Sequence, residues 1–372
     1  MTTMKPASLS IARYPARLLL VLFISLMMSA CAQVGYYAQA VHGELSLLAD
    51  ARPILVWLDD PNASEKLKSR LRTIKGIRQF AVTDLGLPDN GSYRNYVDLQ
   101  RKFVLWNVVA TPALSLTPKQ WCFPIAGCVS YRGYYDQQNA QQYGAQLRRE
   151  GYDVQVLGVP AYSTLGWFND PVMSTFINYP DAELARLIFH ELTHQLFYLK
   201  GDTDFNEAFA TTIEEVGAEK WLLANGDDKK RRIYAEYEGR KSEFLALLLK
   251  YREQLSDVYA SHLSDTVKLE KKAHIFVALQ NDYQILKVHW GGYSGYDRWF
   301  AEPLSNAHLA IIDTYYALEP GFRALLVQQQ NFTQFYAAVR KLALLPEEER
   351  RRQLNALALA SSKLSTSAID RQ

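Results

Sequence analysis

Residues 189–215 read FHELTHQLFYLKGDTDFNEAFATTIEE, and the interpretation of the whole chain starts from this stretch. It opens with His190, Glu191 and His194 in the spacing H-E-x-x-H, on a segment with the apolar pattern of a helix. Residues i and i+4 of a helix share one face, so both imidazoles can reach one metal ion. Glu191 lies beside them, where it can hold a water molecule and take its proton. The pattern predicts a hydrolytic zinc site that requires a third ligand.

A carboxylate on the next predicted helix is the expected third ligand. Glu207, in the segment NEAFA, is the first candidate, and Glu214 is the second. In a tight antiparallel pair of helices Glu207 would lie nearer the turn than His194 does. Glu214, two helical turns further on, would lie level with His194. The spacing alone leaves both carboxylates possible.

The motif pair resembles the gluzincin metallopeptidases, in which HExxH supplies two ligands and a later Glu supplies the third. The resemblance implies that His190, His194 and Glu207 bind one zinc ion and that Glu191 is the general base. One feature departs from those enzymes, because only the residues 195–206 separate His194 from Glu207, and the usual gap is longer.

The resemblance extends over nearly the whole chain to a group of bacterial envelope proteins described as predicted aminopeptidases. Its marks are an N-terminal lipoprotein signal, the segment WCFPIAGCVSYRG at 121–133 and the segment PAYSTLGWF at 160–168. In gluzincins an edge strand at the place of residues 160–167 pairs with the substrate backbone. A plain connecting loop is the alternative.

The fold class expected from these features is α+β and predominantly helical, with a zincin-like catalytic core and a small mixed sheet beside the HExxH helix. Strands are predicted within 103–116, 129–135 and 154–159, and most later segments have helical periodicity. The regions expected are a signal peptide (1–30), an N-terminal helical and β region (31–160), a metallopeptidase region with a helical C-terminal part (161–345) and a frayed polar tail (346–372).

The N-terminus has the pattern of a lipoprotein signal. Lys5, Arg13 and Arg17 precede an apolar run, and Met28-Ser29-Ala30-Cys31 is similar to a lipobox. An ordinary secretory signal cleaved near Cys31 is the alternative. Either signal directs the chain to the periplasm. A lipid at Cys31, followed by Ala32 rather than Asp, predicts anchoring to the inner leaflet of the outer membrane.

Cys122 and Cys128 remain after Cys31, and a close pair in an oxidising compartment predicts a disulfide. The net charge of +2 and the 48% of hydrophobic residues are typical of a globular protein and indicate neither a disordered chain nor a nucleic-acid binder.

The remaining catalytic groups are less defined. A second donor to the reacting carbonyl oxygen is expected, and the candidates are Tyr283, Tyr293, Tyr296, His274 and His289. An aminopeptidase also needs an acid for the free α-amino group, and the candidates are Asp170, Glu183 and Glu214.

The function predicted is a zinc-dependent peptidase, in particular an aminopeptidase, acting on peptides in the periplasm. Two alternatives remain at this point. One is a non-catalytic envelope lipoprotein in which zinc only stabilises the fold, and the other is a protease-like chaperone that binds outer-membrane clients.

Overall fold

The computed structural model describes residues 34–123 and 127–369, and it divides into two compact units, 1–49 and 50–372. Residues 34–50 form a helix, α1. The signal peptide predicted for 1–30 and the lipidation predicted at Cys31 lie outside the described residues. Within the described ranges, no helix combines the length and the apolar character needed to cross a membrane. The boundary predicted at residue 160 falls inside the second unit.

The first half of the second unit alternates short strands with helices. In chain order these are β1 (Arg52–Pro53), α2 (Ile54–Asp59), α3 (Glu65–Thr83), β2 (Asn95–Val97), β3 (Leu105–Pro112), β4 (Trp121–Phe123), β5 (Gly127–Val129), β6 (Arg132–Tyr134), α4 (Gln137–Arg149), β7 (Tyr152–Val159) and β8 (Val172–Met173). The second half is helical: α5 (Asp181–Leu196), α6 (Thr203–Asn225), α7 (Asp228–Ala260), α8 (Asp265–His289), α9 (Asn306–Tyr316), α10 (Glu319–Gln328), α11 (Phe332–Ala343) and α12 (Glu347–Ile369). The prediction of a predominantly helical α+β fold is confirmed.

The strands of the described residues form three small sheets. β6, β3 and β7 make an antiparallel sheet, in which Val108 pairs with Val156. One face of this sheet packs against α4, and the other packs against α9. The mixed sheet is a different one, in which β2 is antiparallel to β1 and parallel to β8. Helix α5 packs mainly against α6 and α3. The small sheets of the prediction are present, and the β6–β3–β7 sheet packs against α9 rather than against the HExxH helix.

β4 and β5 form an antiparallel hairpin in which Cys122 lies opposite Cys128. The two side chains are joined in a disulfide. The described residues of the segment 121–133 thus form two crosslinked strands followed by β6.

The C-terminal segment differs from the frayed tail expected after residue 345. Residues Glu347–Ile369 form α12, which packs against α10 and buries Leu354 completely. Arg350, also buried, donates to the carboxylate of Asp202 at the start of α6. The polar composition of this segment predicted fraying, but α12 buries few apolar residues against α10. The buried ion pair of Arg350 with Asp202 holds its first turn.

Candidate metal centre

Helix α5 carries the HExxH motif with one face in the core. Pro180 precedes the helix, and Asp181 and Glu183 lie in its first turn, where the helix dipole favours acidic groups. Leu184, Ile188 and Leu192 are completely buried. The two histidine rings pack edge to face, with their centroids 4.7 Å apart. The helix therefore presents both imidazoles to one point, as the i, i+4 spacing predicts.

Helix α6 follows after a short turn that is held by two polar side chains. Asp202 caps the helix by accepting from the backbone N–H of Phe205. The Asn206 amide accepts from the Leu199 N–H at 2.7 Å and donates to the Leu199 carbonyl at 2.8 Å. Because Asn206 clamps the turn, the neighbouring Glu207 points back towards α5. This gives the NE pair a physical role, in which Asn206 positions Glu207.

Further along α6, Gly217 allows the two helices to approach each other closely. A Cβ atom at this position would lie 2.8 Å from the Phe189 ring and from a methyl group of Leu85. A larger side chain would therefore push α6 away from the motif helix.

One potential ligand atom from each of His190, His194 and Glu207 lies within 4.8 Å of the other two. The Nε2 atoms of the two histidines lie 3.1 Å apart, and Glu207 Oε2 lies 3.1 Å from His190 Nε2 and 3.6 Å from His194 Nε2. The three side chains are nearly buried, and together they form a group that could hold a metal ion. Two imidazole nitrogens and one carboxylate oxygen match the ligand set of catalytic zinc sites, in which a fourth position is left for water or substrate.

Glu214 lies on the other side of the His190 ring. Its Oε2 is 2.8 Å from His190 Nδ1, and its Oε1 accepts from the guanidinium of Arg186. Arg186 in turn donates to Glu238 at 2.6 Å. A carboxylate at Nδ1 fixes the imidazole tautomer and leaves Nε2 free to bind a metal. Glu214 therefore contacts His190, one helical turn before His194, through the ring nitrogen opposite the one that faces Glu207.

The charges at the site are strongly coupled. Burial would raise the pKa of Glu207, but His194 and the hydrogen bond from His190 hold it far below its usual value. Burial opposes ionisation of Glu214 as well, yet Arg186 and His190 lower the pKa of Glu214 to about 2. Burial raises the pKa of Glu191 to about 6, with His190 and His194 opposing the shift. Two ionised carboxylates around the histidines favour occupation of the group by a cation.

Three of the five candidate oxyanion donors make contacts with residues other than the His190, His194 and Glu207 group, and the other two are exposed. The Tyr283 hydroxyl donates to Asp297 at 2.6 Å, Tyr296 stacks on Phe244, and Tyr293 lies under the Arg240 guanidinium. His274 and His289 are exposed on α8. The residues 290–300 pack as an aromatic turn against α7 and α8.

Tyr315, at the end of α9, is the aromatic residue that the sequence analysis missed. Its ring stacks beside His190 with the centroids 6.2 Å apart. The negative charge of Glu207 is the main reason why the pKa of the Tyr315 hydroxyl lies well above its ordinary value, so the hydroxyl stays protonated. No motif marks Tyr315, and only the tertiary contact of α9 with α6 brings it to the site.

The three candidate acids for the α-amino group each have protein partners. Glu214 is bound by His190 and Arg186, as described above. Asp170 is buried and accepts from the Thr164 hydroxyl and from the Gln195 side chain, each at 2.6 Å. These bonds make residues 160–170 a loop that is tied to the end of α5, which agrees with the alternative of a connecting loop. Glu183 lies 3.7 Å from Arg186 and lines a separate cavity.

Comparison with known proteins places the chain in a family. The profile of a family described as "Putative aminopeptidase" matches residues 35–354. The chain belongs to this aminopeptidase family. No curated protein and no solved structure matches it.

Membership of the aminopeptidase family implies peptide substrates. The profile covers both the disulfide hairpin and the α5–α6 pair, so the family resemblance noted in the sequence is confirmed. A zincin architecture for the core stays a prediction. The short gap between His194 and Glu207, which departs from gluzincins, is spanned in this chain by the turn that Asn206 holds.

Proposed function

We propose that this chain is a zinc-dependent aminopeptidase of the periplasm, anchored to the outer membrane through a lipid on Cys31. The convergence of His190, His194 and Glu207 in a buried group carries the proposal. Glu191 on the same helix supplies the base, and the aminopeptidase family supplies the reaction class. The site and the family support hydrolysis; the location rests on the N-terminal sequence alone.

The proposed ligands are His190 and His194 through Nε2 and Glu207 through its carboxylate. When bound, a zinc ion lowers the pKa of a water molecule towards neutrality and polarises the carbonyl group of the substrate. The Glu214 carboxylate keeps the proton of His190 on Nδ1, so that the Nε2 lone pair faces the centre.

Glu191 moves the proton during the reaction. It takes a proton from the water molecule as the water oxygen bonds to the carbonyl carbon of the scissile peptide. It then gives that proton to the leaving nitrogen as the C–N bond breaks. The products are an amino acid and a shortened peptide, so one water molecule is consumed and Glu191 ends in its starting state.

Tyr315 is the proposed donor to the carbonyl oxygen as that oxygen gains negative charge. We expect Tyr315→Phe to lower kcat by about 10²- to 10³-fold, the usual effect of removing one oxyanion donor. Metal content is expected to stay unchanged, since the hydroxyl is not a proposed ligand. Steady-state kinetics with elemental analysis of the same sample checks both. An unchanged kcat would remove Tyr315 from the mechanism.

The proposed function is tested with pairs of peptides that differ only at the amino terminus. Purified metal-loaded protein is incubated with a peptide that has a free α-amino group and with its N-acetylated form. We expect release of the first residue from the free peptide only, and loss of that activity with a chelator. Cleavage of both forms would indicate an endopeptidase. Chelation that lowers the melting temperature in a protein without activity would favour a purely structural metal.

A further inference from the structure

A cavity lies between the β3–β7 sheet and α9, on the side of the sheet away from α4. Its volume is about 230 Å³. The sheet contributes Val109 and Leu157, and α9 contributes Ala310 and Ile311. Helix α9, which lines the cavity, also packs against α6.

Tyr315 connects this cavity to the candidate metal centre. The same ring that stacks beside His190 lines the cavity, together with Tyr131. A substrate whose scissile carbonyl faces His190 and the Tyr315 hydroxyl would therefore have a side chain beside the cavity. The cavity is therefore adjacent to the candidate metal centre through Tyr315, although none of the three proposed ligands lines it.

The walls determine which side chains fit. No lining residue carries a charge, and most of the lining is aliphatic or aromatic. An ionised side chain would lose its hydration there without gaining a partner of opposite charge. A cavity of about 150 Å³ in a protein core can hold a benzene ring, so this volume has room for a leucine or phenylalanine side chain. The Asn107 Oδ1 atom at the cavity has no hydrogen-bond partner among the described residues.

We infer that this cavity is the specificity pocket of the enzyme and that it receives a large, uncharged side chain of the peptide, such as leucine or phenylalanine. The inference rests on the proposed function, and it narrows the substrates to peptides with such a residue next to the scissile bond. Acidic and basic side chains are excluded by the uncharged walls. A short side chain such as alanine binds without filling the space.

A second cavity, of about 460 Å³, is less suitable as the pocket for this residue. Its lining includes four charged residues, which are Asp181, Glu183, Lys230 and Arg240, among apolar and aromatic ones. Glu183 lies seven residues before His190, which is roughly 10 Å along the helix axis. The buried Arg186 and Glu214 lie on the path between them. A side chain adjacent to the scissile bond would not reach this cavity.

The test fills the pocket. Ile311 is half-buried on α9, and Ile311→Trp places an indole ring in the cavity. Ile275→Trp is the matched control, since Ile275 is also half-buried on a helix but packs against the apolar residues around Phe244 and Phe276 of α7 and α8. The substrates are the amides of alanine, leucine, phenylalanine, glutamate and lysine, measured with the purified metal-loaded protein.

For the unaltered protein we expect kcat/KM to be at least about tenfold higher with leucine and phenylalanine amides than with glutamate and lysine amides. Ile311→Trp is expected to remove this advantage by lowering kcat/KM for the two large substrates about tenfold, and to change the alanine value less than about threefold. Ile275→Trp is expected to leave the ranking intact. An unchanged ranking in Ile311→Trp, with activity present, would overturn the pocket and leave the proposed function standing.

Calorimetric binding gives a second readout that does not require turnover. The affinity of leucinamide is expected to exceed that of glycinamide in the unaltered protein, and the difference is expected to disappear in Ile311→Trp. Equal affinities in the unaltered protein overturn the inference. Selective binding without hydrolysis of any amide would overturn the proposed function and support the pocket.

Discussion

Glu191→Gln is expected to keep its metal ion and to lose peptide hydrolysis by about 10²- to 10⁴-fold in kcat, the usual contribution of a positioned general base. Glutamine has the same shape as glutamate, but its amide cannot accept the proton of the attacking water molecule. Glu191 is not one of the three side chains that converge on the candidate metal position, so occupancy has no reason to fall. Single-turnover kinetics and elemental analysis of one preparation measure both quantities.

Glu219→Gln is the matched control for this experiment. Glu219 is an exposed glutamate near the end of α6, and the substitution removes one carboxylate charge away from the centre. Activity in this variant is expected to stay within about threefold of the unaltered protein. If Glu191→Gln retained full activity with metal bound, another group would have to be the base, and the role of HExxH proposed above would be rejected.

The helices and the first two proposed ligands could be read from the sequence because they depend on local patterns. The i, i+4 spacing of His190 and His194 places both side chains on one face once α5 is helical. The apolar positions of the same segment predict that helix. Capping residues also act locally. Ser64 and Asp227 each accept a hydrogen bond from the first turn of the helix that follows, α3 and α7 respectively.

The parts of the site that were misjudged depend on contacts between distant segments. Tyr315 reaches His190 only because α9 packs between the sheet and α6. A tyrosine at the end of an ordinary helix carries no local signal for such a role. The segment 290–300 is rich in aromatic residues and glycine and therefore stands out in the sequence. Its aromatic rings, however, pack against Phe244 and Tyr283.

The choice between Glu207 and Glu214 as the third ligand also depends on a contact that the sequence does not reveal. Helical geometry gives the separation of the two carboxylates along α6, but the register of α6 against α5 is set by the turn. The bonds from Asn206 to Leu199 determine that register, and these depend on a side-chain conformation that spacing does not reveal. The turn therefore decides which carboxylate faces Nε2 and which faces Nδ1 of His190.

Glu207→Gln and Glu214→Gln form a matched pair that tests this assignment. Glu207→Gln replaces a proposed anionic ligand with a neutral amide, and we expect its zinc dissociation constant to rise more than about 100-fold. Glu214→Gln leaves the three proposed ligands in place and weakens only the hydrogen bond that Glu214 accepts from Nδ1 of His190. The expected rise is about 10- to 100-fold, as found for groups that orient metal ligands. Competition with a chromogenic chelator at one pH measures both constants.

The thermal stability of the metal-free variants separates ligand loss from unfolding. Arg186 keeps Glu238 as a partner when Glu214 is neutralised, so a folded Glu214→Gln protein is expected. If Glu214→Gln lost zinc more completely than Glu207→Gln while both remained folded, Glu214 would be the third ligand. The opposite order supports a centre in which Glu207 binds the ion and Glu214 holds the His190 ring, since the two carboxylates contact different nitrogens of that ring.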